Sequence, residues 1–346
     1  MATTGTRFWV GASTTGALGS PARGIRSIDL TADGEATLGE QIDVGENPMY
    51  LAVSPATGVL GIVHERAEGL VSTWTIEGDE LRAFGAPGTT GAAGPCHLAF
   101  DESGDLLFAA HYSGGRLSVH QVAPDVAADA VLAIDFTGTG PNPKRQEGAH
   151  PHQVVIDSAR DRLLVPDLGA DRVRVLDLAG LPRSLDHSDA DDIVLHPGAG
   201  PRHLVISGDL AIVANELDRT ASIVDLATGE EVRWFSVGDD VEPRGLGCSA
   251  IRLTRTGIVL IGDRDADALR ALRFDADART LELVATVPTG GRHPRDLHLT
   301  HDERHVLVAD QASDSIAVIA VDRDGVPTEV VSTVATPAPA CLARVP

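Results

Sequence analysis

The residues of this chain best suited to chemistry recur at two fixed points of a repeated phrase. One point, just after a Pro or Gly lead-in, holds Met49, Cys96, His152, Arg202, Ser249, Arg295 and Ala340 in turn. The other, closing a second apolar run, holds His64-Glu65, His111-Tyr112, Asp167, Asn215-Glu216, Asp263-Arg264 and Asp310-Gln311. Part of each series is what packing alone would choose. The remainder is cationic or acidic, and Arg–Asp pairs often do no more than brace neighbouring loops. Several Arg and His with a Glu are harder to assign to bracing. An arginine fork matches a carboxylate or a phosphate in two places, and an imidazole or carboxylate beside it can move a proton. The chain carries a net charge of −22, so any cluster of cations in it stands out. An anion site is therefore expected where these Arg, His and Glu residues converge, His152, Arg202, Glu216 and Arg295 among them. His150, Asp167, His203, Arg264, His97, His111 and Gln311 are expected to meet the substrate.

The elements that position these residues follow from the repeat. Copies read GPCHLAFDESGDLLFAAHYSGGRLSVHQV from Gly94, HPHQVVIDSARDRLLVPDLGADRVRVLDL from His150 and HPRDLHLTHDERHVLVADQASDSIAVIAVD from His293. Taking Pro48, Pro95, Pro151, Pro201, Gly247, Pro294 and Pro339 as anchors, the steps are 47, 56, 50, 46, 47 and 45 residues, which gives seven units. Repetition at this period marks a solenoid, a propeller or an array. Short apolar runs at 106–110, 162–165, 211–214 and 305–309, bounded by Asp, Gly and Ser, read as strands. Strand–turn–strand–loop–strand content selects an all-β, seven-bladed β-propeller. The last unit stops after one strand, and RFWVGASTTG (7–16) with RGIRSIDLTADGEATL (23–38) supplies only later strands. The C-terminal strand is thus expected to pair with the N-terminal ones and close the ring, leaving no free edges. Residues 1–346 form one domain on this reading, with the connections 122–149 and 179–200 projecting from it and the loops 85–94, 137–149 and 184–199 expected to set specificity.

Composition narrows the function. Acidity excludes a nucleic-acid footprint and an acidic membrane surface. No apolar run reaches the length of a membrane span, and the N-terminus lacks a secretion signal. Three scattered cysteines fit reduced thiols in the cytoplasm. Lys144 is the only lysine, which removes Schiff-base chemistry. HERAE at His64 lacks the second His of a zinc-protease helix, and strand alternation scatters His293, His298, His301 and His305. No metal or cofactor is expected. Cys96, beside His97, reads as a packed thiol rather than a nucleophile. No nucleophile elbow, phosphate loop or dinucleotide fingerprint is present.

The stretches PCHLAFDESGDLLFAAHYSGGRLSVHQV, HPHQVVIDSARDRLLVPDLGADRVRV, GPRHLVIS with VANELDRTASI, and HPRDLHLTHDERHVLVADQASDSIAV resemble the lactonase family of seven-bladed propellers. That family includes propeller-type 6-phosphogluconolactonases and carboxy-muconate cyclases. The resemblance runs from about Phe8 to Leu342. It implies that His152 (or His150), Arg202, Glu216 and Arg295 line the mouth of the channel. Three functions then stand open: hydrolysis of a small anionic sugar-acid lactone, cyclisation or isomerisation of a muconate-type diacid, and ligand binding without turnover. In the first, Glu216 or His152 takes a proton from water while the arginines hold charge. A monomer or weak homodimer is expected.

Overall fold

The computed structural model describes residues 5–16, 18–238 and 240–346. Residues 1–4, at the head of the stretch read above for a secretion signal, lie outside them. Seven antiparallel sheets form, one per repeat, and most are simple meanders of four consecutive strands. Pro294–Leu299, His305–Asp310, Ser315–Val321 and Pro327–Ala335 make one such sheet. This is the blade content of a seven-bladed β-propeller. The helical piece among the described residues is a single 3-10 turn, Gln311–Ser313. No described helix is long and apolar enough to cross a membrane.

Burial explains the sequence pattern. The second strand of a repeat is covered on both faces, so it reads as a continuous apolar run: all six residues of Leu210–Asn215 and of Ile258–Asp263 are buried. The fourth strand is half-exposed and alternates, as Ala130–Asp135 and Pro327–Ala335 do. By their contacts the residues group into two compact units. One comprises the chain up to Leu51, Arg219–Ala221 and everything from Phe235 onward; the other comprises Ala52–Asp218 and Ser222–Trp234. In the first, Ile258, Leu260, Leu297, Val306 and Val308 share one core. In the second, Leu164, Leu204, Ala211 and Val213 share another.

Closure by the C-terminal strand is present within the first unit. Pro339–Arg344 pairs antiparallel with Thr6–Ala12, Phe8 facing Arg344 and Val10 facing Leu342. Leu342 is buried with Phe8, Val10, Leu307 and Val318, and its N–H donates to Asp296 Oδ2 at 2.8 Å. Deleting 339–346 removes this core contribution and bares the edge of Thr6–Ala12. The expected cost is several kcal/mol, which lowers Tm by about 5 °C or more. Calorimetry checks it; a truncated chain melting with the parent would show that the strand closes nothing.

The position after each lead-in has a structural cause. In the sheet beginning at Pro201, Pro201 faces Asn215 and His203 faces Ala214, so Arg202 is the extra residue of a β-bulge. Cys96, Arg295 and Ala340 are the extra residues in their own sheets by the same register shift. A bulge breaks the two-residue alternation and re-aims one side chain. The repeat therefore sets aside one position per sheet for a special side chain.

The position closing the second strand has a different use. In five sheets it reaches the third strand: in three of them His64 Nε2 lies 2.8 Å from Ser72 Oγ, His111 Nε2 lies 2.9 Å from Ser118 Oγ, and Asn215 Nδ2 donates to Ser222 Oγ at 2.7 Å. Asp167 and Asp263 instead accept from Arg174 and Arg270. Asp310 has Ala317 at the matching place and accepts from Thr289 Oγ1 at 2.8 Å, while burial pushes its carboxyl up to about 7. His111, expected to meet the substrate, is thus fully buried inside its own sheet.

Burial, then the neighbouring His120, lowers the His111 pKa to about 3, and burial lowers His120 to about 4. Because these folded-state values lie below the ordinary value of 6.5, the unfolded chain takes up protons first as pH falls. Their stability cost is absent above about pH 6.5 and grows as pH falls toward the folded values. His111→Asn copies the Asn215–Ser222 pair and removes one titrating group. It is expected to flatten the fall of the urea midpoint between about pH 7 and pH 5. An unchanged slope would place the acid sensitivity elsewhere.

Candidate active site

Glu216 is the hub of a buried polar cluster in the second unit. Its Oε2 lies 3.1 Å from Arg202 Nε, and both side chains are almost wholly buried. Its Oε1 pairs with Arg145 Nη2. Arg145 also donates from Nε and Nη2 to the Tyr112 hydroxyl, both at 3.3 Å. Burial pushes the Tyr112 phenol above its usual range, against the pull of Arg145. The ring of Tyr112 stacks on His150, centroids 4.4 Å apart, and meets His152 edge-on at 5.5 Å. His152 in turn packs edge-on to His203, and His203 to His97, each at 5.4 Å. Arg202 Nη1 sits 3.4 Å from His203 Nε2. His152, Arg202, Glu216, His150, His203 and His97 are therefore brought together, with two guanidiniums on one carboxylate.

Local backbone explains the placement. The segment around His152 is not regular strand; its ladder narrows to Val155–Asp157. The register slips by one between the Pro151–Asp167 bridge and the Val155–Leu164 pair. Side chains satisfy the loosened backbone instead: His97 Nδ1 accepts from Val154 N–H at 3.3 Å, and Gln153 Oε1 accepts from Leu204 N–H at 2.6 Å. Asp167 holds the start of this segment. Its Oδ1 accepts from the N–H groups of His150 (2.7 Å) and Gly169 (3.1 Å), and its Oδ2 accepts from Arg174 Nη2 at 2.8 Å. Both oxygens of Asp167 are spent within the protein, which makes it a positioning residue for His150. Cys96 Sγ lies 3.9 Å from His152 Nδ1, yet its thiol faces the carbonyls of Ala110, Pro151 and His152. It is a buried filler beside the imidazole.

Arg264, Gln311 and Arg295 stand in the first unit. Arg264 is buried and donates from Nη2 to Cys248 O at 2.9 Å and from Nε to Gly247 O at 3.3 Å. Gln311 opens the 3-10 turn, with its N–H on His293 O at 3.2 Å. Arg295 is the bulge residue of Pro294–Leu299. Among the described residues, His187, Asp189 and Asp192 form a group with metal-like spacing. Arg174 Nη1 already lies 2.8 Å from Asp192 and 3.2 Å from Asp189, so a cation occupies that charge. Two site residues escaped the sequence reading. Tyr112 was visible only as the neighbour of His111, and Arg145 only as part of a projecting loop. The one usable signal was the Lys144–Arg145 pair in an otherwise acidic chain.

Residues 7–344 match the model of the family described as lactonase, 7-bladed beta-propeller. The chain belongs to that family, as its repeat phrases implied. A 6-phosphogluconolactonase of Yersinia pestis (strain Pestoides F) is 29% identical over 286 residues, covering 80% of this chain and 81% of that protein. Among solved structures, the periplasmic gluconolactonase PpgL of Pseudomonas aeruginosa is similar with a TM-score of 0.89 and 25% identity, over 99% of each chain. A Lactobacillus plantarum protein is similar with a TM-score of 0.89 and 27% identity, over 99% of this chain and all of that one.

Proposed function

We propose that this protein hydrolyses the lactone of a small sugar acid, with 6-phosphogluconolactone as the leading substrate. The observation that carries this reading is the Glu216 carboxylate held between Arg202 and Arg145, beside His152, in a chain of the lactonase family. The relatives' names favour hydrolysis over diacid cyclisation. Glu216 has each oxygen against a guanidinium, which suits it to orienting cations better than to taking a proton. His152 is assigned the base. It takes a proton from water as the oxygen attacks the lactone carbonyl carbon, and Arg202 holds the oxyanion that develops. The ring C–O bond then breaks, the departing alkoxide receives the proton from His152, and the free hydroxy acid leaves. The family pattern that gives these residues their roles also includes Arg295, proposed as a further cation of the reaction. The scheme needs no metal. A cytoplasmic setting fits the three buried cysteines, which form no disulfide among the described residues.

Acid release from a panel of lactones, corrected for spontaneous opening, tests the proposal. Turnover of sugar-acid lactones above background supports it. Turnover of muconate-type diacids alone would transfer the site to cyclase chemistry, and turnover of neither would leave a binding protein.

A further inference from the structure

Arg145 is held from behind and open in front. The loop that carries it is plugged by the buried amide of Gln146, whose Nε2 donates to Leu168 O at 3.0 Å and to Asp171 Oδ1 at 2.7 Å. Gln146 Oε1 accepts from Asn142 N–H at 3.0 Å, and Gly140 lies so close that an added Cβ would come within 2.4 Å of that amide. Asp171 also accepts from the N–H groups of Gly198 at 2.7 Å and Gly200 at 2.8 Å, which lead into the strand of Arg202. One carboxylate thus fixes the backbone behind both arginines. The Arg145 guanidinium uses Nε and Nη2 on Tyr112 and Glu216, whereas its Nη1 has no protein partner among the described residues and the side chain is 35% exposed. Lys144, the only lysine of the chain, is exposed beside it.

We propose that Arg145 selects lactones carrying a second anionic group, a phosphate or a free carboxylate, which it binds on its outward Nη1 edge while Nη2 stays on Glu216. The inference rests on the lactonase reading above. A brace with no other role would have its fork consumed and buried, as that of Arg174 is. A fork already fixed on two inner partners loses little freedom when a ligand arrives, so its remaining edge is pre-organised. Lys144 adds a second positive charge to the same exposed loop, where the neighbouring Glu147 carboxylate is turned to His150 at 3.3 Å.

The test compares three lactones: glucono-lactone, its 6-phosphorylated form, and a lactone bearing a free carboxylate. Arg145→Met is expected to lower kcat/KM for the charged lactones about 10–100-fold more than for glucono-lactone, the excess falling on KM, because lost support to Glu216 is shared by all three substrates. Whichever charged lactone suffers more identifies the group selected. Arg145→Lys, which keeps the charge without the fork, is expected to recover part of the preference. Equal loss on charged and neutral lactones would make Arg145 a support for Glu216 and overturn the proposal, as would no loss on either charged lactone. If the wild-type protein opens none of the three, the lactonase reading fails separately. Calorimetric binding of the 6-phosphorylated acid then decides: affinity at least about tenfold weaker in Arg145→Met sustains the anion site, and equal or absent binding rejects it.

Discussion

Replacing His152 by Gln is expected to lower kcat by about 10²–10⁴ with little change in KM. The imidazole is packed in the middle of the cluster, meeting Tyr112 on one side and His203 on the other. Gln comes close to its volume and retains polar contacts but moves no proton near neutral pH. The loss should therefore fall on the chemical step. Glu216→Gln is the informative contrast. If Glu216 only orients the arginines, its amide should cost less in kcat than the His152 change and should show partly in KM. A Glu216→Gln protein as slow as His152→Gln, with unaltered KM, would return the base to Glu216.

Arg202→Met is expected to reduce kcat by about 10²–10³, the usual cost of removing one donor to a developing oxyanion. Met roughly matches the length of the stem while deleting the fork. It also leaves Glu216 facing Arg145 alone, so a thermal melt belongs beside the kinetics. Arg202 is 3% exposed, and an uncompensated buried carboxylate is destabilising. Loss of rate at unchanged Tm assigns Arg202 to the reaction. A large fall in Tm with wild-type rate per folded molecule would make it a brace.

The repeat made the fold legible because one phrase recurs with the same punctuation seven times. Pairing of Pro339–Arg344 with Thr6–Ala12 followed from counting strands in the incomplete first and last units. One member of the cluster around Glu216 was legible at the bulge position, where Arg202 breaks an otherwise small or apolar series. It was less legible at the end of the second strand. There His111, Asp167 and Asn215 serve hydrogen bonds to the third strand, with Ser118, Arg174 and Ser222 about seven residues on. That seven-residue echo is present in the sequence, and it assigns His111 and Asp167 to the third strand of their own sheets. Arg145 and Tyr112 were hidden for another reason. The loop of Arg145 differs in sequence and length from the connections at the same place in other repeats, and nothing in a periodic pattern says where its end returns.

The central claim is that the cluster around Glu216 opens a lactone ring. The most direct measurement is continuous titration of acid released from 6-phosphogluconolactone and glucono-lactone by the purified wild-type protein and by His152→Gln. The account predicts release well above the spontaneous rate with the wild type, and a fall toward that rate in the variant. Release by the wild type that His152→Gln leaves unchanged would contradict the assigned chemistry, and no release above background from either lactone would contradict the function.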